Sequence, residues 1–422
     1  MLRTGSRRTG RGPVAGTVGS PRLTPVQLTL VMCAAEILSM TGFAAYTTLL
    51  PMLQREWALS NSEAGLVSGV YYAGYVLATP VLTSLTDRVD SRRVYLIACL
   101  VSCAGAAGFM LFAGGLASAL VFQFLIGAGL GGTYMPGIKM LADRLEGAAQ
   151  SRAVAFYAAT FGIGSTLSIL ACGWIGAGHG WQAAFAWGAA GPVASAALVN
   201  LAMPRGRTRA AGGPAPALLD FRPVLRNRRT LPYIIGYSAH NYELFGQRSW
   251  MVAFLVFTAS LQPADAPMWV GAATLAAMIN LLGPVMSISG NELALRFGRT
   301  RVIFAFMTAS GLLACVLGYT AALPWMLVFV IMCVHYGLML GDSAALTAGT
   351  VAAAHPDERG ATMAVYSFVG FSSAFFAPLV FGAVLDVAGG NRSLLAWGLA
   401  FASIGIFGVL APVARLVYAR RG

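Results

Sequence analysis

Twelve apolar stretches, each long enough to cross a hydrocarbon layer, follow one another along this chain and limit its fold more than any other feature. Windows of about 20 residues place them at 26–50, 64–86, 93–115, 116–142, 153–177, 182–203, 232–258, 269–289, 302–322, 324–350, 362–388 and 394–417. A segment in lipid must satisfy its own backbone hydrogen bonds, either along a helix or around a closed barrel. The alternation of apolar and polar residues that marks a membrane barrel is absent. The fold class is therefore an all-α membrane protein with twelve transmembrane helices. Composition agrees, with 57% hydrophobic residues and only 10% charged.

The chain also repeats itself. A basic stretch, Thr83-Ser84-Leu85-Thr86-Asp87-Arg88-Val89-Asp90-Ser91-Arg92-Arg93, follows one apolar span. A second, Asn291-Glu292-Leu293-Ala294-Leu295-Arg296-Phe297-Gly298-Arg299-Thr300-Arg301, follows another 208 residues on. The same shift carries Gly162 onto Gly370 and Glu36 to within one residue of Glu243. This implies two pseudo-symmetric six-helix bundles, 26–203 and 232–417, with a site between them. The Pro/Gly/Arg-rich segment 204–231 reads as their linker, and residues 1–25 and 418–422 as tails, the first of them disordered.

Cations settle the expected orientation. With the N-terminus inside, Arg3, Arg7, Arg8, Arg11 and Arg22 join the arginines of alternate loops, of the linker and of the C-terminal tail on one side. Only Arg55 and Arg392 remain on the other, a strong positive-inside pattern. Both termini are thus expected in the cytoplasm of a cell with this protein in its plasma membrane, the bacterial cytoplasmic membrane. The +13 net charge is explained by orientation and anionic lipid headgroups, so no nucleic-acid partner is expected. An Arg-rich, acid-free start also resembles an organelle transit peptide, but no amphipathic helix accompanies it. All six cysteines fall within spans, and Cys99 and Cys103 lack nearby ligands, which argues against disulfides and metal.

Two six-helix halves, a basic linker and the loop bearing Asp87, Arg88, Arg92 and Arg93 resemble the major facilitator superfamily over essentially residues 26–417. Thr83 and Asp90 stand where that family usually has glycine, and the second copy keeps Arg296, Gly298 and Arg299 but has Leu295 at the acidic position. The resemblance implies that Asp87 latches the inner side shut by binding the start of helix eleven, near residue 362. A carboxylate there meets free N–H groups and the positive end of a helix dipole. A loop that only enforces topology is the plainer reading. Gln123 replaces the helix-four arginine of many drug/proton antiporters, and the proline of their helix-five signature is missing after Gly162. The arginine signatures of nitrate carriers and the post-helix-six run of sugar porters are missing too, so the branch stays open.

Ionisable residues inside spans are the candidates for mechanism, because each costs about 2.5–3.5 kcal/mol to insert. Glu36 stands alone in the first span, and a neutral acid bonded to a neighbouring helix is its plain alternative. The seventh span carries His240, Glu243 and Arg248 in one dense polar run. His240 and Glu243, three apart, share a helix face. Arg248 could pair with an acid, bind an anion or snorkel to the outer interface. In the tenth span His335 and Asp342 lie seven apart on one face, with transport and an inner-gate network equally open for Asp342. Gln123, Tyr72 and Asn280 are expected on the cavity wall, and Asp386 at the outer interface. Gly127-Ala128-Gly129-Leu130-Gly131-Gly132 matches a dinucleotide fingerprint, but it sits inside a lipid-spanning helix without the βαβ context.

The resulting expectation is a secondary active transporter of a small organic solute, working by alternating access with protons as the coupling partner. Symport is slightly favoured, and Arg248 would meet an anion. Proton-linked efflux of a lipophilic cation is the alternative, and a non-transporting membrane sensor a remote one. No enzyme constellation appears, no cofactor is called for, and the protein is expected to be a monomer in the bilayer.

Overall fold

The computed structural model describes residues 23–86, 88–203, 222–355 and 359–419. Among these it is helical with no strand. The helices are α1 (Pro25–Ser39), α2 (Ala45–Glu56), α3 (Asn61–Leu85), α4 (Ser91–Phe112), α5 (Leu116–Ala142), α6 (Gly147–Ala202) and α7 (Arg222–Arg226). There follow α8 (Leu231–Ser260), α9 (Ala272–Phe297), α10 (Arg299–Leu317), α11 (Trp325–Gly341), α12 (Ser343–Ala353), α13 (Arg359–Val387) and α14 (Leu394–Ala419). Nine segments among the described residues are long and apolar enough to cross a membrane. One of them, α6, holds two expected spans in a single run of 56 residues, broken only at Gly180 (φ 83°). The arrangement is consistent with the twelve-span plan.

Where the observed elements depart from the expected ones, the reason is local. The first span is broken into α1 and α2 at Met40–Ala44. The Ser168 hydroxyl of α6 donates to the Thr41 carbonyl (2.8 Å) and accepts from the Ala44 amide (3.0 Å), so the interruption keeps its hydrogen bonds inside the bundle. The tenth span is interrupted at Asp342 alone, which retains helical dihedral angles. The segment read as a linker carries one short helix, α7, whose Val224 packs against Ile234, Val365 and Tyr366. Residues 204–221 of it, residues 1–22 of the first tail, residues 420–422 of the last and Asp87 lie outside the described residues.

Within each half the helices pack through close backbone approaches, as lipid-embedded bundles require. A Cβ at Gly127 of α5 would overlap the Tyr71 carbonyl of α3, so the glycine run that mimics a nucleotide motif is a packing seam. Between halves, α3 lies against α13, α6 against α9, and α2 against α8. The basic loops gather at one end of the molecule, where α3, α5 and α9 finish and α4, α6 and α10 begin. There Arg92 is buried and its guanidinium donates to the backbone and side-chain oxygens of Asn200, tying the loop to the end of α6. Arg88, Arg93 and Arg296 are exposed and Arg299 is half-buried. Gly298 adopts φ 93°, a left-handed turn between α9 and α10 that a side chain would strain.

At the opposite, arginine-poor end the halves close where α3 meets α13 at backbone distance, and an aromatic cluster of the second half lies behind that contact. Trp250 of α8 donates its indole N–H to the Pro378 carbonyl (3.0 Å) and stacks on Phe381, with Trp397 and Phe401 behind them.

Candidate functional site

A cavity of about 500 Å³ lies between the halves at mid-depth. Its walls run from Phe43, at the break of the first span, through Tyr72 and Tyr134 to α8 (Tyr237, His240, Asn241, Phe245 and Arg248), then Asn280, Tyr336 and Phe371. Towards the arginine-rich end it reaches the exposed Ala155, Ala158 and Ile288. The cavity therefore opens at that end and is closed at the other. Its size suits a small organic molecule.

Arg248 forms the polar point of the closed end. Its Nη2 donates to Asn280 Oδ1 (3.0 Å) and to the Tyr336 hydroxyl (2.9 Å), and Tyr336 in turn donates to Asn280 Oδ1 (2.8 Å). The guanidinium carbon sits 5.9 Å from the Phe43 ring and 5.5 Å from that of Phe245, within cation–π range. No carboxylate pairs with it among the described residues, and its Nε is buried without a hydrogen-bond partner. The guanidinium has not snorkelled to the surface, and no acid on another helix meets it. Asn280 bridges the halves, because its Nδ2 donates to Ser165 (2.8 Å) and Thr166 (2.9 Å) of α6. Its amide orientation follows from that network, with the oxygen turned to Arg248 and Tyr336.

The acids expected to face this cavity do not line it. Glu36 is fully buried within the first half, where the Tyr157 hydroxyl donates to Oε2 (2.6 Å). One aromatic layer separates it from the cavity, since Tyr157 stacks on the wall residue Tyr134 at 6.0 Å. Glu243 is buried in the second half, with Oε1 2.9 Å from His335 Nε2 and Oε2 accepting from Ser310 (3.2 Å). His240, one helical turn before Glu243, does reach the cavity, and its Nδ1 stands 2.7 Å from Asp342 Oδ1. His335 and Asp342 thus both turn toward α8, each completing a histidine–carboxylate pair. Two carboxylates without such partners would be costly in hydrocarbon; these are held by neighbours.

Tyr72 and Asn280 take their expected places on the wall, whereas Gln123 is buried in α5 away from it. Both ends of the polar run His240–Arg248 line the cavity. Tyr157 and Ser310 were missed, being ordinary polar residues without a charge to mark them. The signal that could have found them is the need of each isolated acid for a partner on another helix. Among the described residues no group of histidine, cysteine and carboxylate side chains could hold a metal ion.

An all-helical membrane bundle with a solute-sized cavity between two halves, open at one end only, defines a multi-pass membrane transporter rather than an enzyme. The chain belongs to the Major Facilitator Superfamily, whose family model matches residues 32–378. Among curated relatives, it is 25% identical over 145 residues to the niacin transporter NiaP of Acinetobacter baylyi, covering 34% of this chain and 32% of that one. It is 23% identical over 127 residues to the benzoate transport protein of the same organism, covering 29% and 27%. The matches span about a third of those relatives' length. The fold is similar to that of a bacterial homolog of the human lysosomal transporter Spinster in an inward-facing, occupied conformation. That likeness has a TM-score of 0.74 and 16% identity, and covers 93% of this chain and 96% of the other. The nucleoside transporter NupG is also similar, with a TM-score of 0.72, 15% identity, and 93% and 98% covered.

Proposed function

We propose that this transporter imports a small organic anion, an aromatic or heteroaromatic carboxylate, across the bacterial cytoplasmic membrane in symport with protons. The arginine-rich end faces the cytoplasm, with both termini, so the cavity described above opens inward. One observation carries the reading: Arg248 presents a guanidinium to the cavity with no carboxylate beside it among the described residues. A buried cation without a counter-ion costs several kcal/mol. A solute carboxylate supplies the missing charge, and the surrounding Tyr72, Phe245, Tyr336 and Phe371 offer ring faces for an aromatic body. Two relatives bearing the names niacin transporter and benzoate transport protein favour the same chemistry. A lipophilic cation would meet Arg248 and no cavity-lining carboxylate, which disfavours the efflux alternative.

The histidine–carboxylate pairs supply the proton arm of this reading. His240–Asp342 borders the cavity, and Glu243–His335 lies one turn deeper along the same helix. Protonation of either pair changes the charge beside Arg248 and hence its need for an anion.

The test is uptake into proteoliposomes with an inward proton gradient, comparing benzoate and nicotinate with tetraphenylphosphonium. Aromatic carboxylates should accumulate, and Arg248→Ala should lower their uptake about 30-fold or more, the cost of breaking a buried charge pair. Arg248→Lys should recover only part, lacking the planar fork. Cation transport that survives Arg248→Ala, with no carboxylate flux in wild type, would overturn the proposal.

A further inference from the structure

Expected merely to sit at an interface, Asp386 instead joins the two halves. It lies at the C-terminal end of α13, at the arginine-poor end, and its carboxylate spans the N-terminus of α3 in the other half. Oδ1 accepts from the Asn61 amide (3.0 Å) and from Asn61 Nδ2 (2.8 Å). Oδ2 accepts from the Ser62 amide (2.8 Å) and from the Ser62 hydroxyl (2.6 Å). Gln54 of α2 donates to Asn61 Oδ1 (2.7 Å), which fixes the amide with its NH₂ turned to Asp386.

The first turn of a helix leaves N–H groups without intrahelical partners. In α3 the Glu63 amide is served by the Ser60 cap, through a capping box within the same half. The two preceding amides, of Asn61 and Ser62, are served by Asp386, from the other half. Just below, the backbones touch: a Cβ at Gly65 would overlap the Pro378 carbonyl, and one at Gly382 would overlap that of Asn61. Asp386 itself is exposed. When the halves part, water takes over both its oxygens and the amides, so the contact can be made and broken without stranding a buried charge.

We propose that Asp386 is the gate residue that holds the extracellular side shut in the inward-open state, by binding the start of α3. The arrangement is reciprocal to the inner latch expected of Asp87: α3 and α13 run antiparallel, and the carboxylate at one helix's end serves its partner's beginning. The inference rests on the proposed orientation and on the two halves rocking, and it is independent of what the cavity carries.

The test uses the full chain in liposomes, with the six native cysteines replaced and spin labels at Arg55→Cys and Arg392→Cys. Those positions flank one crevice between the halves at the arginine-poor end. Pulsed EPR should show mostly the short distance. Asp386→Asn, which keeps the shape and removes the charge, should raise the ratio of outward-open to outward-closed molecules about tenfold, as loss of charge-assisted hydrogen bonds implies. Asn61→Pro tests the other side of the contact. Proline is tolerated at the first helical position, Ser60 is already extended as a residue before proline must be, and two of the four donors disappear. It should give a shift of the same sign, and the double variant less than the sum of the two. Unchanged distances in both variants would overturn the proposal, as would a lower melting temperature in both without any change in the ratio.

Discussion

At the scale of single residues, each ionisable group in the membrane is understood by its nearest partner. Glu36 and Glu243 fall within one residue of each other under the 208-residue repeat, yet they are provided for differently. Tyr157 gives Glu36 a neutral donor, whereas His335 gives Glu243 a base that can share a proton. The proposed coupling therefore rests on the second half. Glu243→Gln should abolish accumulation driven by a proton gradient while leaving solute counterflow, which needs no net proton movement, within about threefold of wild type. Glu36→Gln keeps an acceptor for the Tyr157 hydroxyl and should reduce both modes together by a smaller factor. Parallel uptake and counterflow assays distinguish these outcomes, and loss of both modes in Glu243→Gln would assign that residue to binding instead. The presence of these acids was legible in the sequence because charge in hydrocarbon is rare and costly. Their partners were not, because Tyr157, Ser310 and His335 come from helices whose contacts depend on rotation and tilt.

At the scale of elements, the closed end depends on α3 and α13 approaching to backbone contact. Small residues make this feasible, as in other membrane helix pairs. Gly65→Val places a branched side chain against the Pro378 carbonyl. Because packed helices tolerate such overfilling poorly, the variant should favour the outward-open form by about tenfold. Maleimide labelling of a cysteine introduced near Trp250 should rise accordingly while transport falls. Unaltered labelling together with normal transport would refute this account of the closed state. The break between α1 and α2 belongs to this scale too. The first span reads as unbroken in the sequence, because the supporting hydroxyl of Ser168 lies 127 residues away from Thr41 and could not be read in advance.

For the whole molecule, the charge asymmetry and a cavity open at the arginine-rich end together carry the proposed orientation. Cysteines placed at Arg55 and Arg392 should react with a membrane-impermeant reagent on intact cells. Those placed at Arg93 and Arg296, exposed at the arginine-rich end, should react only after the membrane is opened. The reverse pattern would invert the proposed topology. The sequence by itself determined the helical class, the twofold plan and the helix that carries the polar cluster. Hydrophobic length, repetition and cation placement are one-dimensional properties, each set by an interaction with lipid or with the membrane's two faces. Only the tertiary structure decided that Arg248 borders the cavity while Glu36 and Glu243 stand behind its wall, and that Asp386 reaches the start of α3. Those facts depend on helix rotation and on which end of the molecule is closed, and both are set by packing between segments far apart in the chain.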